Sequence, residues 1–356
     1  SFLCFSNRII VPGAKILYSN HTVRHGAKNY AKGGMNMPVM AMMGTPFSSE
    51  QLDEIRALSN QYGFTLREMD ASVRYPADAL EDCDILLGYF PRGLLKGAHN
   101  LRWLHLPSAG ADKYADDGLY DGHDFTLTNS SGAFGAAIAE QLVMGALMLL
   151  RRMPEYLHQQ QQHVWHRVGN LRFLGGSRVA ILGTGNLGST FAGYCTAMGA
   201  ETVGISRSGR PAEHFSRVYP MSRRLEAVQN ADVVAACLPL TKETHGILDQ
   251  AFFRAMKPGA IFLNTGRGKT VCQDDLIEAL RSGHLGGAML DVAEVEPMPP
   301  DCPLWEMETV FITPHISDSD LDPQNTRQIF EIFRENFARY VQGQPLQNVV
   351  NRTKGY

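Results

Sequence analysis

Residues 178–210 constrain this chain more than any other stretch. Residues 179–182 form a short apolar run that fits a strand buried on both faces. Gly183, Gly185 and Gly188 follow at once in G-x-G-x-x-G spacing, with Asn186 and Leu187 between the last two. Residues 187–198 read as a helix and residues 202–206 as a second strand. In such a turn the first glycine permits the sharp strand-to-helix reversal. The second lets a pyrophosphate approach the backbone, and the third lets helix and strand pack closely. The anion then rests on the helix N-terminus. Glycine-rich turns are common, so the spacing alone says little. Flanked by strand, helix and strand, it predicts a dinucleotide site.

The tip of the second strand selects the dinucleotide. NAD sites commonly place Asp or Glu there, on the ribose 2′-hydroxyl. Here the tip carries Ser206 and Arg207, with Arg210 three positions on and no carboxylate. A carboxylate repels a 2′-phosphate, whereas guanidinium groups bind phosphate through bidentate, charge-assisted hydrogen bonds. The expected cofactor is NADP, with NAD the alternative if both arginines are merely solvated loop residues.

The rest of the chain reads as repeated β/α units. From Pro38 strands are expected at 39–43, 64–69, 85–89, 103–106 and 126–129. Ser48 or Ser49 caps a helix running to about Tyr62. Residues 136–152 are apolar on nearly all sides, so that helix is expected to be buried, to connect two domains and to touch a second subunit. Residues 159–163 read as a polar, amide-rich stretch. His158, His163 and His166 lie nearby, but no Asp, Glu or Cys completes a set, so no metal is expected. Beyond the glycine turn, strands are expected at 233–238, 260–264, 287–292 and 310–313, and helices at 225–229, 250–256 and 274–281. Parallel strands with helical crossovers give doubly wound sheets, whose ligands bind at the carboxyl ends of the strands. A length of 356 residues allows two such domains. A net charge of −3 argues against nucleic acid or an anionic membrane as partner. Six scattered cysteines suit a reduced compartment, and no apolar run reaches membrane-span length.

Residues 1–49 contain no Asp or Glu but carry several Lys and Arg. That composition suits a transit peptide to the mitochondrial matrix, or an upstream extension of the reading frame. The second reading is preferred, with a cytoplasmic protein starting at Met35 or Met37.

Polar groups gather at several strand ends. Pro107-Ser108-Ala109-Gly110-Ala111-Asp112 follows one strand, and its small residues let backbone N–H groups face outward as an anion nest; a plain turn is the alternative. Leu238-Pro239 ends another. Asn264-Thr265-Gly266-Arg267-Gly268 offers a planar fork that matches a carboxylate, with glycines that let the backbone bend toward a cleft. Asp291 and Glu296 follow the next strand, and Pro314-His315-Ile316 the last. A histidine with a carboxylate partner is the usual general acid. Taken singly, Arg267 suits a surface ion pair, Glu296 a solvated loop and His315 a core position. Their coincidence at strand ends of one nucleotide-binding sheet favours a site.

These stretches together resemble the D-isomer-specific 2-hydroxyacid dehydrogenases. The carrying motifs are Gly183-x-Gly185-x-x-Gly188, Leu238-Pro239-Leu240-Thr241 with Glu243-Thr244-His245-Gly246, and Met256-Lys257-Pro258-Gly259-Ala260. Asn264-Thr265-Gly266-Arg267-Gly268, Leu290-Asp291-Val292 with Glu296-Pro297, and Thr313-Pro314-His315-Ile316 complete the set. The resemblance implies two Rossmann-like doubly wound parallel-sheet domains separated by a cleft. Residues 132–317 would bind the dinucleotide. Residues 38–131 plus 318–356 would form the substrate-binding domain, with a returning helix at 326–341, and 1–37 an extension of unknown role. It implies Arg267 as the substrate-orienting arginine, Glu296 as the carboxylate that polarises the histidine and His315 as acid/base. Leu187, Leu238, Thr265 and Gly266 would line the cofactor, Asp291 would hold its nicotinamide end, and the Ala109 and Gly110 amides would hold the substrate carboxylate.

Two departures stand out. Ser317-Asp318-Ser319-Asp320 follows the histidine where the family has small residues, and Ser206-Arg207 is similar to the glyoxylate/hydroxypyruvate reductase branch. The expected activity is reduction of a small 2-oxo acid to the D-2-hydroxy acid by a homodimer. The alternatives are a dinucleotide-sensing corepressor and phosphoglycerate dehydrogenase. The second of these would want NAD and a basic cleft, neither evident in the sequence.

Overall fold

A computed structural model describes residues 37–120, 122–317 and 322–355. The expectations on residues 1–36 and on Asp318 and Asp320 lie outside the described residues. The first sheet takes β1 (Val39–Met43), β2 (Thr65–Met69), β3 (Cys83–Gly88), β4 (Trp103–Leu106) and β5 (Thr126–Asn129). Its order is β2-β1-β3-β4-β5, all parallel. Between β1 and β2 runs α1 (Ser49–Gln61), started by a capping box in which Ser48 and Gln51 bond each other's backbone. A single turn, α2 (Arg92–Leu95), follows β3.

The chain then enters α3 (Gly135–Leu150) and α4 (Met153–Gln161). The second half contains β6 (Arg178–Leu182), α5 (Asn186–Ala197), β7 (Glu201–Ser206), β8 (Arg217–Pro220), α6 (Arg224–Val228) and β9 (Val233–Ala236). It continues through α7 (Gln250–Ala255), β10 (Ile261–Asn264), α8 (Gln273–Arg281), β11 (Gly287–Leu290) and β12 (Val310–Ile312). Their sheet is ordered β12-β11-β10-β9-β6-β7-β8, again wholly parallel. The strand order reverses beside β6, which pairs with both β7 and β9, so the crevice for a ligand opens at the carboxyl end of β6.

The last helix, α9 (Pro323–Val341), returns to the first sheet. Phe333 stacks on Trp103 at 5.7 Å and Phe337 meets Phe64 edge-on at 5.5 Å. Val349 then bridges antiparallel to Thr128, which extends the sheet at β5.

Three features differ from expectation. Helix α4 was not anticipated, and the polar, amide-rich residues 159–161 close its last turn. The edge strand β8 was not anticipated. Finally, α3 is buried on one side only: Ala139, Leu142 and Ala146 are sealed, whereas Met144 remains exposed. Its second face, with α4 and α5, lines an apolar groove of about 810 Å³ that includes Val143, Met144, Leu147, Met153 and Met198. No described helix is long and apolar enough to cross a membrane.

Candidate active site

The glycine turn behaves as its spacing requires. Gly183 has φ +100°, a left-handed conformation that side chains avoid. A Cβ on Gly188 would stand 1.9 Å from the Gly183 carbonyl oxygen, so the helix approaches the strand too closely for any other residue. At Gly185 a Cβ would meet nothing, so the space over it is open. Gly185 is also the N-cap of α5 and brings no side chain to the first-turn amides. An uncapped helix start under open space fits an anionic diphosphate. Gly185, Asn186, Leu187, Gly188, Leu238, Pro239, Thr265 and Gly266 line a cavity of about 380 Å³ there, together with Ala109 and Gly110. Cys237 also lines it, and burial pushes its thiol up to about 12, so it is no thiolate near neutral pH.

At the tip of β7, Ser206 Oγ accepts a hydrogen bond from the Gly209 N–H at 3.1 Å. Arg207 follows and adds positive charge beside Glu243. The Glu243 carboxyl is held below the usual carboxylate range, first by hydrogen bonds from its own backbone and Thr241 and then by this charge. Ser206, Arg207 and Arg210 line neither of the cavities at the strand ends.

A second cavity, of about 720 Å³, is lined by Tyr89, Ser108, Asp112, Lys113, Lys269, Glu294 and Glu296, among others. Gly110, Arg267 and His315 line both cavities and so form their shared wall. Arg267 follows β10 in extended conformation, and Thr270 Oγ donates to its carbonyl at 2.7 Å. Its Nε donates to Asp112 Oδ1 at 3.3 Å, across to the loop after β4. A Cβ on Gly110 would fall 1.7 Å from Arg267 Nη2, so the guanidinium lies directly on that glycine. The chain bends at Gly266 and enters a tight turn at Gly268, the glycines on either side of Arg267. Neither is left-handed; a Cβ on Gly268 would instead strike the Ala293 carbonyl at 1.8 Å, so close backbone approach demands it.

In the loop after β4, Ser108 Oγ donates to the Gly110 carbonyl at 2.8 Å, and Asn129 Nδ2 donates to the Ala109 carbonyl at 2.6 Å. Among the described residues the Ala109 and Gly110 N–H groups make no hydrogen bond. These bonds hold the loop while leaving two amides for an anion.

His315 Nδ1 lies 2.8 Å from Glu296 Oε2, and Glu296 Oε1 accepts from the Ala293 N–H at 3.0 Å. Glu296 is therefore fixed before it orients the ring. Nε2 is the ring nitrogen with no protein partner among the described residues. His315 itself has φ +54°, a conformation costing a non-glycine residue about 1–3 kcal/mol. Asp291 is buried beside His315 and Ser317, which line the smaller cavity, and accepts hydrogen bonds from both.

Asp112, Lys113, Lys269 and Tyr89 were not anticipated as lining residues. Only Asp112 carried a local signal, as the end of the small-residue loop. The two lysines lie beside Glu294 and Asp112, so the cavity carries both signs of charge. Among the described residues no cluster of His, Cys, Asp and Glu could hold a metal.

Residues 143–317 match the model of the D-isomer-specific 2-hydroxyacid dehydrogenase NAD-binding domain. A glyoxylate reductase of Aeropyrum pernix is 32% identical over 301 residues, covering 80% of this chain and 84% of that protein. A D-isomer-specific 2-hydroxyacid dehydrogenase family protein of Aeromonas salmonicida superposes with a TM-score of 0.77 at 32% identity, covering 89% of this chain and all of that one. An NADPH-dependent glyoxylate/hydroxypyruvate reductase of Sinorhizobium meliloti, solved with NADP and sulfate, gives 0.76 at 28% identity, covering 90% and 100%.

Proposed function

Since the chain belongs to the D-isomer-specific 2-hydroxyacid dehydrogenase family, whose members oxidise or reduce a CH–OH group with a nicotinamide dinucleotide, we propose that it reduces a small 2-oxo acid such as glyoxylate or hydroxypyruvate to the D-2-hydroxy acid with NADPH. The observation that carries this reading is the shared wall. Gly110, Arg267 and His315 stand between the cavity beside the glycine turn and the cavity beside Ser108.

The dinucleotide would be held by Gly183, Gly185, Asn186, Leu187 and Gly188, with Leu238, Pro239, Thr265 and Gly266 along it, and it supplies the hydride when bound. Ser206, Arg207 and Arg210, without a carboxylate among them, favour the 2′-phosphate; the S. meliloti relative is NADPH-dependent. Arg267 and the Ala109 and Gly110 amides bind the substrate carboxylate, which fixes the face of the carbonyl that meets the hydride. His315 Nε2 gives a proton to the C2 oxygen as negative charge grows there. Glu296 holds Nδ1–H and so keeps the donating nitrogen on the substrate side. Arg267 also steadies the developing alkoxide.

The apolar groove on α3, α4 and α5 is the surface on which a homodimer forms. The described cysteines are free thiols, which suits the cytoplasm.

The test is a panel of 2-oxo acids assayed with NADPH and NADH. Glyoxylate or hydroxypyruvate turnover with NADPH supports the reading. Cofactor binding without turnover of any 2-oxo acid rejects it in favour of a sensing role.

A further inference from the structure

We infer that the 2-oxo acid this protein prefers carries a second carboxylate, bound by Lys113 and Lys269. The inference rests on the larger cavity being the substrate site, as proposed above. Both lysines line that cavity, and neither lines the one beside the glycine turn. They follow the two partners of one ion pair. Lys113 comes directly after Asp112 in the loop beyond β4, and Lys269 lies two positions after Arg267 in the loop beyond β10. The ammoniums therefore come to one cavity from the two sheets.

Charge decides what they can serve. Arg267 is engaged with Asp112, and Glu296 with His315 and the Ala293 N–H. Neither lysine ammonium has a hydrogen-bond or ion-pair partner among the described residues. Glu294 lines the same cavity but pairs with neither of them. Two ammoniums against one carboxylate leave a single positive charge over. One further carboxylate balances it, whereas a phosphate, at about −1.5 to −2, exceeds it. The Tyr114 hydroxyl in the same wall is spent on the Phe90 carbonyl at 3.1 Å. Glyoxylate would fill only a small part of a cavity of about 720 Å³. An acid that is held at Arg267 by one carboxylate can extend its other end toward the lysines. An ammonium on a long flexible stem is a point charge with three donors, so it can follow acids of different length.

The experiment compares kcat/KM, with NADPH, for three kinds of acid. Oxaloacetate and 2-oxoglutarate carry a second carboxylate, phosphohydroxypyruvate a phosphate, and glyoxylate and hydroxypyruvate neither. At low salt a dicarboxylate should exceed glyoxylate by tenfold or more. That preference should shrink as KCl is raised, because both lysines are exposed. Lys113→Met and Lys269→Met keep the stem and remove the charge. Each should lower the ratio of dicarboxylate to glyoxylate kcat/KM by roughly three- to tenfold. The salt dependence is read on the wild-type protein and needs no variant. Turnover of glyoxylate or hydroxypyruvate with no preference for a dicarboxylate overturns the inference and leaves the proposed function standing. A preference for phosphohydroxypyruvate overturns it too, as does a ratio unmoved in one variant or both. If no 2-oxo acid is turned over, the reading of the site itself falls, and the inference with it.

Discussion

His315 and Glu296 meet at 2.8 Å, Nδ1 to Oε2, while the second Glu296 oxygen is spent on the Ala293 N–H. The carboxylate is anchored by its own loop and orients the ring from there. Both side chains are more than a third exposed, so the pair contributes little to stability. Its value lies in directing Nε2. His315→Ala should lower kcat by about 10²–10⁴-fold while NADPH still binds. Glu296→Gln should show a smaller loss, because the amide can still orient the ring but carries no charge. Steady-state rates together with fluorescence titration of NADPH check both. Wild-type turnover in His315→Ala would sink the acid/base assignment.

Gly110 and Arg267 give a separate prediction. An alanine methyl at position 110 would collide with the guanidinium end of Arg267, the flexible part of that side chain. The fold should tolerate Gly110→Ala, but the fork is displaced from its place on the loop. KM for the 2-oxo acid should rise with little change in Tm. Arg267→Lys should raise KM by roughly 10–100-fold, since an ammonium cannot form the bidentate pair. Parallel KM and Tm measurements separate lost binding from lost stability.

Cofactor choice is testable at one atom. Ser206 Oγ already accepts the Gly209 N–H. An Asp at 206 can keep that bond and add an acceptor for a ribose hydroxyl, while repelling a 2′-phosphate. Ser206→Asp should therefore raise KM for NADPH and lower it for NADH. The ratio of kcat/KM for the two cofactors reads this directly. An unchanged ratio would detach Ser206 from the selection.

Much of this architecture is visible in the amino-acid pattern, for a definable reason. Strands such as β1 and β9 are apolar throughout and buried on both faces, so apolar runs mark them cleanly. β8 escapes because it is a short edge strand bearing Arg217 and ending at Pro220, a composition equally suited to a loop. α4 escapes because Arg152 is left-handed between two helices and the amide-rich segment lacks an apolar period. Glu296 and His315 come from ends of adjacent strands, and their pairing is the kind of contact that strand order implies. Asp112 and Arg267 are 155 residues apart and belong to different sheets, so no local pattern announces their contact. Asp291 shows the opposite limit: the motif marks the residue, but not that its carboxylate accepts from Thr313, Ile316 and Ser317.

The apolar groove makes a prediction about assembly. Met144 on α3 and Met198 after α5 are both exposed and line it together with Met153. Placing a charge there costs far more in an interface than on a free surface. Met144→Lys should shift the protein from dimer to monomer in light scattering, with the far-ultraviolet circular dichroism unchanged. A wild-type protein that is monomeric at micromolar concentration would remove this surface from consideration.

Stability should depend on pH through a buried histidine that lines neither cavity. His105 is fully buried on β4 within a polar chain: Trp103 Nε1 donates to Thr128 Oγ at 2.8 Å, and Thr128 Oγ lies 2.7 Å from His105 Nδ1. Ser130 Oγ donates to the Leu106 carbonyl, so it can accept from His105 Nε2–H at 3.3 Å. That network accommodates a neutral ring, and burial pushes the imidazole down to about 3 from its ordinary 6.5. Between those values the unfolded chain binds a proton that the folded chain refuses. Stability contributed by the neutral ring is therefore fully present above about pH 6.5. It is lost as pH falls toward 3, by at most about 1.4 kcal/mol per pH unit. Glu68 and Asp82, held low by hydrogen bonds from Arg56 and Arg67, act in the same direction but mainly below pH 5. Urea unfolding of wild type and His105→Gln between pH 7 and 5 isolates the histidine. The wild-type free energy should fall faster with acid than that of the variant, and equal slopes would show that His105 is not the titrating group.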